Sequence, residues 1–173
     1  MELLKRKQTR LENYDYGQDG AYFITICTQN RKRILSNIIV GTGVLDCPKI
    51  ELLNHGRIAD RYINQLNDFY DNISVDKYVI MPDHIHFILS VKNGQSGTPV
   101  PTDITTKIDN KNSAVAKFVS TFKRFCNKEY GENIWQQRYY DHIIRNQKDY
   151  NEIFEYIENN ARKWKMTKET QGV

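Results

Sequence analysis

The sequence predicts an α+β fold, a ferredoxin-like sandwich with an antiparallel central sheet and helices on one face. Three observations lead there. Short β-branched and aromatic runs alternate with longer stretches whose apolar residues recur at helical spacing. The element order reads strand, helix, strand–strand hairpin, helix, strand, helix. Two of the strands are separated only by Met81-Pro82-Asp83, so they pair as antiparallel neighbours. The 173 residues suffice for one domain with a substantial core, and residues 1–173 read as a single domain.

Residues 1–20 form a basic N-terminal arm carrying Lys5, Arg6, Lys7 and Arg10. A mobile arm and a phosphate-contacting arm fit it equally, since basic side chains supply the sequence-independent part of nucleic-acid affinity. Ala21–Thr28 (AYFITICT) is a central strand by composition. Two short apolar runs, Ile38-Ile39-Val40 and Val44-Leu45, flank Gly41-Thr42-Gly43 and suggest a small hairpin. This Gly-x-Gly lacks the third glycine and the strand-to-helix context of a phosphate loop. Leu52, Leu53, Ile58, Ala59, Tyr62, Ile63, Leu66 and Phe69 then recur at helical spacing, placing a helix over 53–69.

Ile73–Ile80 is the next strand, and the proline of Met81-Pro82-Asp83 breaks it before His84–Val91. Residues 93–112 are rich in Gly, Ser, Thr, Pro and Asp and read as a flexible linker. Ser113 is placed to cap a helix with the apolar stripe Val115, Phe118, Val119, Phe122 and Cys126. Residues 134–145 look extended. Asn146 then caps a last helix to about residue 164, with Tyr150, Ile153, Phe154, Ile157 and Trp164 as its stripe.

Composition excludes several classes. No apolar run approaches the roughly 20 residues that span a bilayer, and the first residues lack the apolar core of a signal peptide. The three cysteines have no Cys-x-x-Cys spacing, so neither a disulfide framework nor a zinc knuckle is indicated. A cytoplasmic protein with reduced thiols is the expectation. The net charge of +4 permits a polyanionic partner without demanding one.

The chemistry centres on Tyr78–Val91, the most apolar run in a polar chain. It holds His84 and His86, two of the four histidines. Residues i and i+2 of a strand point to the same face, so the two imidazoles project side by side while Ile85 enters the core. Such a pair suits a divalent transition metal, or magnesium or manganese when oxygen ligands complete the shell. His-x-His alone does not specify a metal, because a structural or exposed pair fits it as well. On the last helix, Tyr156 lies off the apolar stripe and Asn160 stacks one turn later on the same face. A tyrosine nucleophile fits phosphoryl transfer if a neighbouring charge or metal activates its hydroxyl. With eleven tyrosines in the chain, an ordinary surface tyrosine is the competing reading.

Three separated stretches together are specific. Tyr78–Leu89 (YVIMPDHIHFIL) resembles the HUH motif (His, bulky apolar, His) of single-tyrosine DNA transposases. Trp135–Asn146 (WQQRYYDHIIRN), followed by Tyr156-Ile157-Glu158-Asn159-Asn160, resembles the signature of the REP-associated tyrosine transposases within the IS200-like family. Tyr14-Asp15-Tyr16 and Tyr22–Arg31 fit the same branch, so the similarity covers nearly the whole chain. One departure is Ala161, where the branch usually has proline, which puts the chain path after Asn160 in question.

The resemblance implies that His84, His86 and Asn160 bind Mg²⁺ or Mn²⁺. It implies that Tyr156 attacks single-stranded DNA beside a hairpin, forming a 5′-phosphotyrosine bond and releasing a 3′-OH. Rejoining would then need no ATP. Tyr139 and Tyr140 are rival nucleophiles, although base stacking suits them better. Lys123, Arg124, Arg138, His142 and Arg145 are candidate DNA contacts. A homodimer and a monomer both remain open. The alternatives are a domesticated hairpin-DNA-binding protein without strand transfer, and a His-x-His metalloprotein for small molecules.

Overall fold

The computed structural model describes residues 19–39, 48–92 and 113–169. The basic arm up to residue 18, Val44-Leu45 and the 93–112 segment lie outside the described residues. Chain order gives β1 (Gly20–Cys27), β2 (Ser36–Ile39), β3 (Lys49–Leu52), α1 (Asn54–Phe69), β4 (Ile73–Ile80), β5 (His84–Val91), α2 (Ala114–Tyr130), β6 (Tyr140–Ile144), α3 (Gln147–Glu158) and α4 (Asn160–Glu169). The main sheet is ordered β4-β5-β1-β6, and every neighbouring pair is antiparallel. This is the sandwich the element order predicts.

Alternation along the strands sorts side chains between two layers. Tyr22, Ile24 and Ile26 of β1 join Ile85, Phe87, Leu89 and Val91 of β5 on one face. There they meet Ala59, Ile63 and Leu66 of α1, and Val115, Phe118, Val119 and Phe122 of α2. Phe69 falls outside this layer and is exposed, so the α1 stripe ends at Leu66. Ser113 caps α2 as expected, its Oγ accepting from the Ala116 amide at 3.2 Å. Gly131 ends the helix in the left-handed region at φ 76, which glycine occupies without a Cβ clash.

The helices do not all lie on one face. Ile88, Ile144 and Ile157 form a second, smaller cluster with Ala21, Phe23, Val79, Tyr150, Ile153 and Phe154, placing α3 on the opposite side of the sheet. The reason is visible in β5, which is buried on both faces except at Ser90. A strand apolar on both sides needs cover on both sides. Ile157 is the one fully buried side chain of α3, and its burial contributes about 2 kcal/mol. Lys77 of β4 pairs with Glu158 at 3.2 Å, and the Tyr150 hydroxyl donates to Asp76 at 3.2 Å, holding α3 over this edge.

The last helix is also two helices. α3 is capped by Asn146, whose Oδ1 accepts from the Asp149 amide at 2.9 Å, and it ends at Asn159. α4 starts at Asn160, with the amides of Arg162 and Lys163 donating to the Asn159 carbonyl. Ala161 therefore sits in a first helical turn, where proline is tolerated because the amide has no helical partner. The path after Asn160 thus accommodates either residue.

The extended reading of 134–145 holds in part. Only Tyr140–Ile144 joins the sheet, while Trp135 makes an isolated bridge to Thr28. The small hairpin forms with a different second strand: Ser36–Ile39 pairs with Lys49–Leu52.

Candidate active site

The connector before His84 is tied on three sides. The Met81 amide donates to the His84 carbonyl at 2.9 Å, the Thr28 amide to Asp83 at 2.9 Å, and the Leu35 amide to Pro82 at 3.1 Å. Met81, Pro82 and Asp83 are all buried. His84 and His86 consequently leave a rigid strand start, only 7% and 5% exposed. They share the face of Ile88, opposite to Ile85, as their spacing predicts.

Each imidazole is anchored through Nδ1. His84 Nδ1 lies 2.5 Å from Asp83 Oδ1. His86 Nδ1 lies 2.8 Å from Thr25 Oγ1, because Thr25 of β1 stands directly opposite His86 in the sheet register. Both Nε2 atoms are left facing the same cleft, 3.1 Å apart. Two nitrogens bound at right angles to one ion, each about 2.1 Å from it, stand about 3 Å apart. The anchored Nδ1 groups are the outer support a metal-binding histidine has. The pair therefore fits a divalent ion, and Asn160, 5% exposed and lining the same cleft, could offer an amide oxygen to it. The donor set is two imidazoles and an amide; among the described residues no cluster of three or more His, Cys, Asp or Glu forms a metal site.

Burial, then the charges of His84 and Arg31, push the His86 pKa down to about 3, so its imidazole is neutral at physiological pH. A neutral imidazole is the form that binds a metal. Burial alone would raise the Asp83 carboxyl. The hydrogen bond to His84 and the charges of His84, Arg31 and Arg33 outweigh it and hold that carboxyl below its usual range.

α3 brings Tyr156 to this pair. Its hydroxyl lies 3.4 Å from His86 Nε2, and the side chain is 37% exposed at the cleft mouth. The ring packs edge-on to Phe23 (6.0 Å between centroids), which itself stacks on His86 at 5.0 Å. Lys163 Nζ sits 5.0 Å from the Tyr156 ring centre. Trp164 packs on His84 at 5.6 Å, with the Arg33 guanidinium 6.0 Å from the Trp164 ring. The resulting cleft, about 260 Å³, is lined by Thr25, Arg31, His84, His86, Tyr156, Asn160, Lys163 and Trp164.

One further feature stands beside the cleft. The turn after β1 holds two successive non-glycine residues at positive φ, Asn30 and Arg31, both at 54°. Asparagine tolerates this region through local hydrogen bonding; arginine does not, and pays about 1 kcal/mol there. Arg31 Nη1 lies 3.6 Å from Asp83 Oδ1.

Of the residues named from sequence, His84, His86, Tyr156 and Asn160 come together, while the proposed DNA contacts do not join them. Lys123 turns its ammonium to the chain's own carbonyls, donating to Gln136 at 2.8 Å. Burial pushes its pKa down to about 8, although carbonyl acceptors favour the charged form. Arg124 is exposed and lines a separate cleft between α2 and the 131–137 segment. His142 is paired with Asp149 at 3.1 Å, fastening β6 to the start of α3. Arg138, Arg145 and the ring of Tyr140 are exposed.

Sequence reading missed Thr25, Asp83, Arg31, Lys163 and Trp164. Asp83 had a usable signal, an acid directly before the first histidine. Thr25 had none, since only the sheet register sets it against His86.

Comparison with known proteins gives the chain a family. The family model described as "Transposase IS200 like" matches residues 18–160. An uncharacterized protein of Haemophilus influenzae is 30% identical over 171 residues, covering 93% of this chain and 91% of the relative. A REP-associated tyrosine transposase of Escherichia coli K12 is 25% identical over 142 residues, covering 82% of this chain and 66% of the relative. Among solved structures, a REP-associated tyrosine transposase bound to a REP hairpin superposes with a TM-score of 0.57 at 22% identity, covering 89% of this chain and 74% of that one. With a family match running from β1 through Asn160, the chain belongs to the IS200-like transposases.

Proposed function

We propose that the chain cleaves and rejoins single-stranded DNA beside hairpins, with Tyr156 as nucleophile and His84, His86 and Asn160 holding Mg²⁺ or Mn²⁺. The observation that carries this reading is the approach of the Tyr156 hydroxyl to His86 Nε2, 3.4 Å within one chain. The hairpin substrate is suggested by the relatives: one is named REP-associated, and another is a complex with a REP hairpin.

The phenol oxygen of Tyr156 attacks the scissile phosphorus. As the new O–P bond forms, the tyrosine gives up its hydroxyl proton; the P–O3′ bond breaks, the 3′ oxygen takes up one proton and leaves as a 3′-OH, and the 5′ phosphate stays on the tyrosine. Attack by a 3′-OH on that phosphotyrosine reverses the exchange, one phosphodiester for another, so no ATP is needed. When bound, a divalent ion supplies Lewis-acid polarisation of the phosphoryl group. Thr25 and Asp83 keep the imidazoles turned to the cleft, and Phe23 holds the Tyr156 ring against His86. Both halves of the site come from one chain, so a monomer suffices in this reading.

The test is incubation with hairpin oligonucleotides bearing single-stranded flanks, in Mn²⁺ or Mg²⁺. The expected product is a protein–DNA adduct stable to denaturant, together with a free 3′-OH fragment. Hairpin binding with no metal-dependent adduct would overturn strand transfer in favour of a binding protein. Failure to bind single-stranded DNA at all would remove the nucleic-acid reading.

A further inference from the structure

We infer that Arg31 is a catalytic residue of this site, its guanidinium contacting a non-bridging oxygen of the scissile phosphate. The inference rests on the strand-cleavage reading above.

The first support is position. Arg31 lines the cleft together with His84, His86 and Tyr156. Lys163 stands over the Tyr156 ring at the nucleophile's end. Arg31 stands beside Asp83 at the histidine end. A phosphodiester held in this cleft for attack by the Tyr156 hydroxyl would meet both cations.

The second support is bonding capacity. The Asp83 oxygen nearest Arg31 is already engaged by His84 Nδ1 at 2.5 Å. The 3.6 Å separation from Arg31 Nη1 is outside hydrogen-bond range, and the Arg31 side chain is 55% exposed. Guanidinium carries five donors in a plane that matches two phosphate oxygens. Asp83 thus steers the group electrostatically and leaves donors for an incoming anion.

The third support is the backbone. Arg31 sits at φ 54 immediately after Asn30 at the same value. A side chain needed only to pair with Asp83 would not require a left-handed residue, and glycine would fit the turn better. Strain kept by a non-glycine residue at a cleft is the pattern of a functional position. Asn30 and Arg31 both lie in the tight turn Gln29–Arg31 that follows β1, where the Arg31 amide donates to the Thr28 carbonyl and the Lys32 amide to the Gln29 carbonyl, each at 3.2 Å.

In cleavage, negative charge accumulates on the non-bridging oxygens as the Tyr156 oxygen adds and the 3′ oxygen leaves. A fixed cation there lowers the barrier, and its loss costs about 100-fold in rate, as for other preorganised donors. No proton passes through Arg31.

Two variants test this, R31G and R31K, on a hairpin oligonucleotide that the wild type cleaves. R31G is expected to melt no lower than the wild type, because it removes strain, and to form adduct about 100-fold more slowly. R31K, with one ammonium in place of the fork, recovers a minor part of the rate. In a Y156F background, R31G weakens binding of the normal oligonucleotide but not of one carrying a neutral methylphosphonate at the scissile position. An R31G protein that cleaves within about threefold of wild type overturns the inference. So does an equal loss of affinity for both oligonucleotides, which would make Arg31 a positioning residue acting through Asp83. A wild type that forms no adduct with any hairpin refutes the cleavage reading itself, and this inference with it.

Discussion

Thr25 Oγ1 and His86 Nδ1 meet at 2.8 Å across the central strands of the sheet. The contact follows from register: β1 and β5 pair with Thr25 directly opposite His86. It fixes the imidazole ring so that Nε2 faces His84 and Tyr156. Replacing Thr25 by valine keeps the β-branched shape and removes the anchor. T25V is expected to stay folded while the Mn²⁺ concentration for half-maximal cleavage rises about 10- to 100-fold. A metal titration of adduct formation checks this; an unchanged titration would mean that the ring is held by packing against Phe23 alone.

Imidazole and amide ligands bring no negative charge to a metal, so a divalent ion held by His84, His86 and Asn160 would offer its full charge to a phosphate. Metal affinity should therefore be weak in the free protein and at least about fivefold tighter with single-stranded DNA present, with reciprocal tightening of DNA by metal. Calorimetric Mn²⁺ titration of Y156F, with and without oligonucleotide, measures the coupling. Equal affinities would place the metal away from the phosphate.

Acid should destabilise the fold through His86. Its folded pKa of about 3 lies below the 6.5 of the free side chain. Between these values the unfolded chain binds the proton and the native state does not. Stability is therefore fully present above about pH 6.5 and falls by about 1.4 kcal/mol per unit as pH drops toward 3. The depressed Asp83 carboxyl adds a loss in the same direction below pH 3.8. Denaturant unfolding in EDTA at pH 7 and pH 5 should show this slope in the wild type and a slope reduced by one proton in H86Q.

Gly56 is a packing position in the first turn of α1. A Cβ there would stand 2.0 Å from the Leu35 carbonyl oxygen, a backbone atom that cannot swing away. Leu35 in turn binds Pro82 in the connector ahead of His84. G56A should cost about 1–3 kcal/mol by overpacking, read as a lowered midpoint in thermal or urea unfolding.

Much of this architecture was legible because its signals are local. The i, i+2 spacing of His84 and His86 in an extended run placed both histidines on one face, and Pro82 marked the turn. Asn146 announced the start of α3. The distribution of helices was not legible from element order, though β5 being apolar on both faces was its trace in the sequence. The break at Asn159 also escaped notice: the helical period runs straight through it, and nothing in Asn159-Asn160-Ala161 forces a stop. Thr25 and Arg31 depend on sheet register and on a backbone angle, neither of which is written in residue spacing. The same is true of Lys123, whose charge reads as a solvated helix face until the Gln136 carbonyl is seen against it.

The most direct test of the account is the attachment point of DNA on the protein. Mass spectrometry of the denatured adduct, formed in Mn²⁺ and digested, should find the 5′-phosphorylated fragment on the peptide containing Tyr156, with no adduct from Y156F. An adduct that persists in Y156F, or that maps to Tyr139 or Tyr140, would contradict the site assembled from β5 and α3.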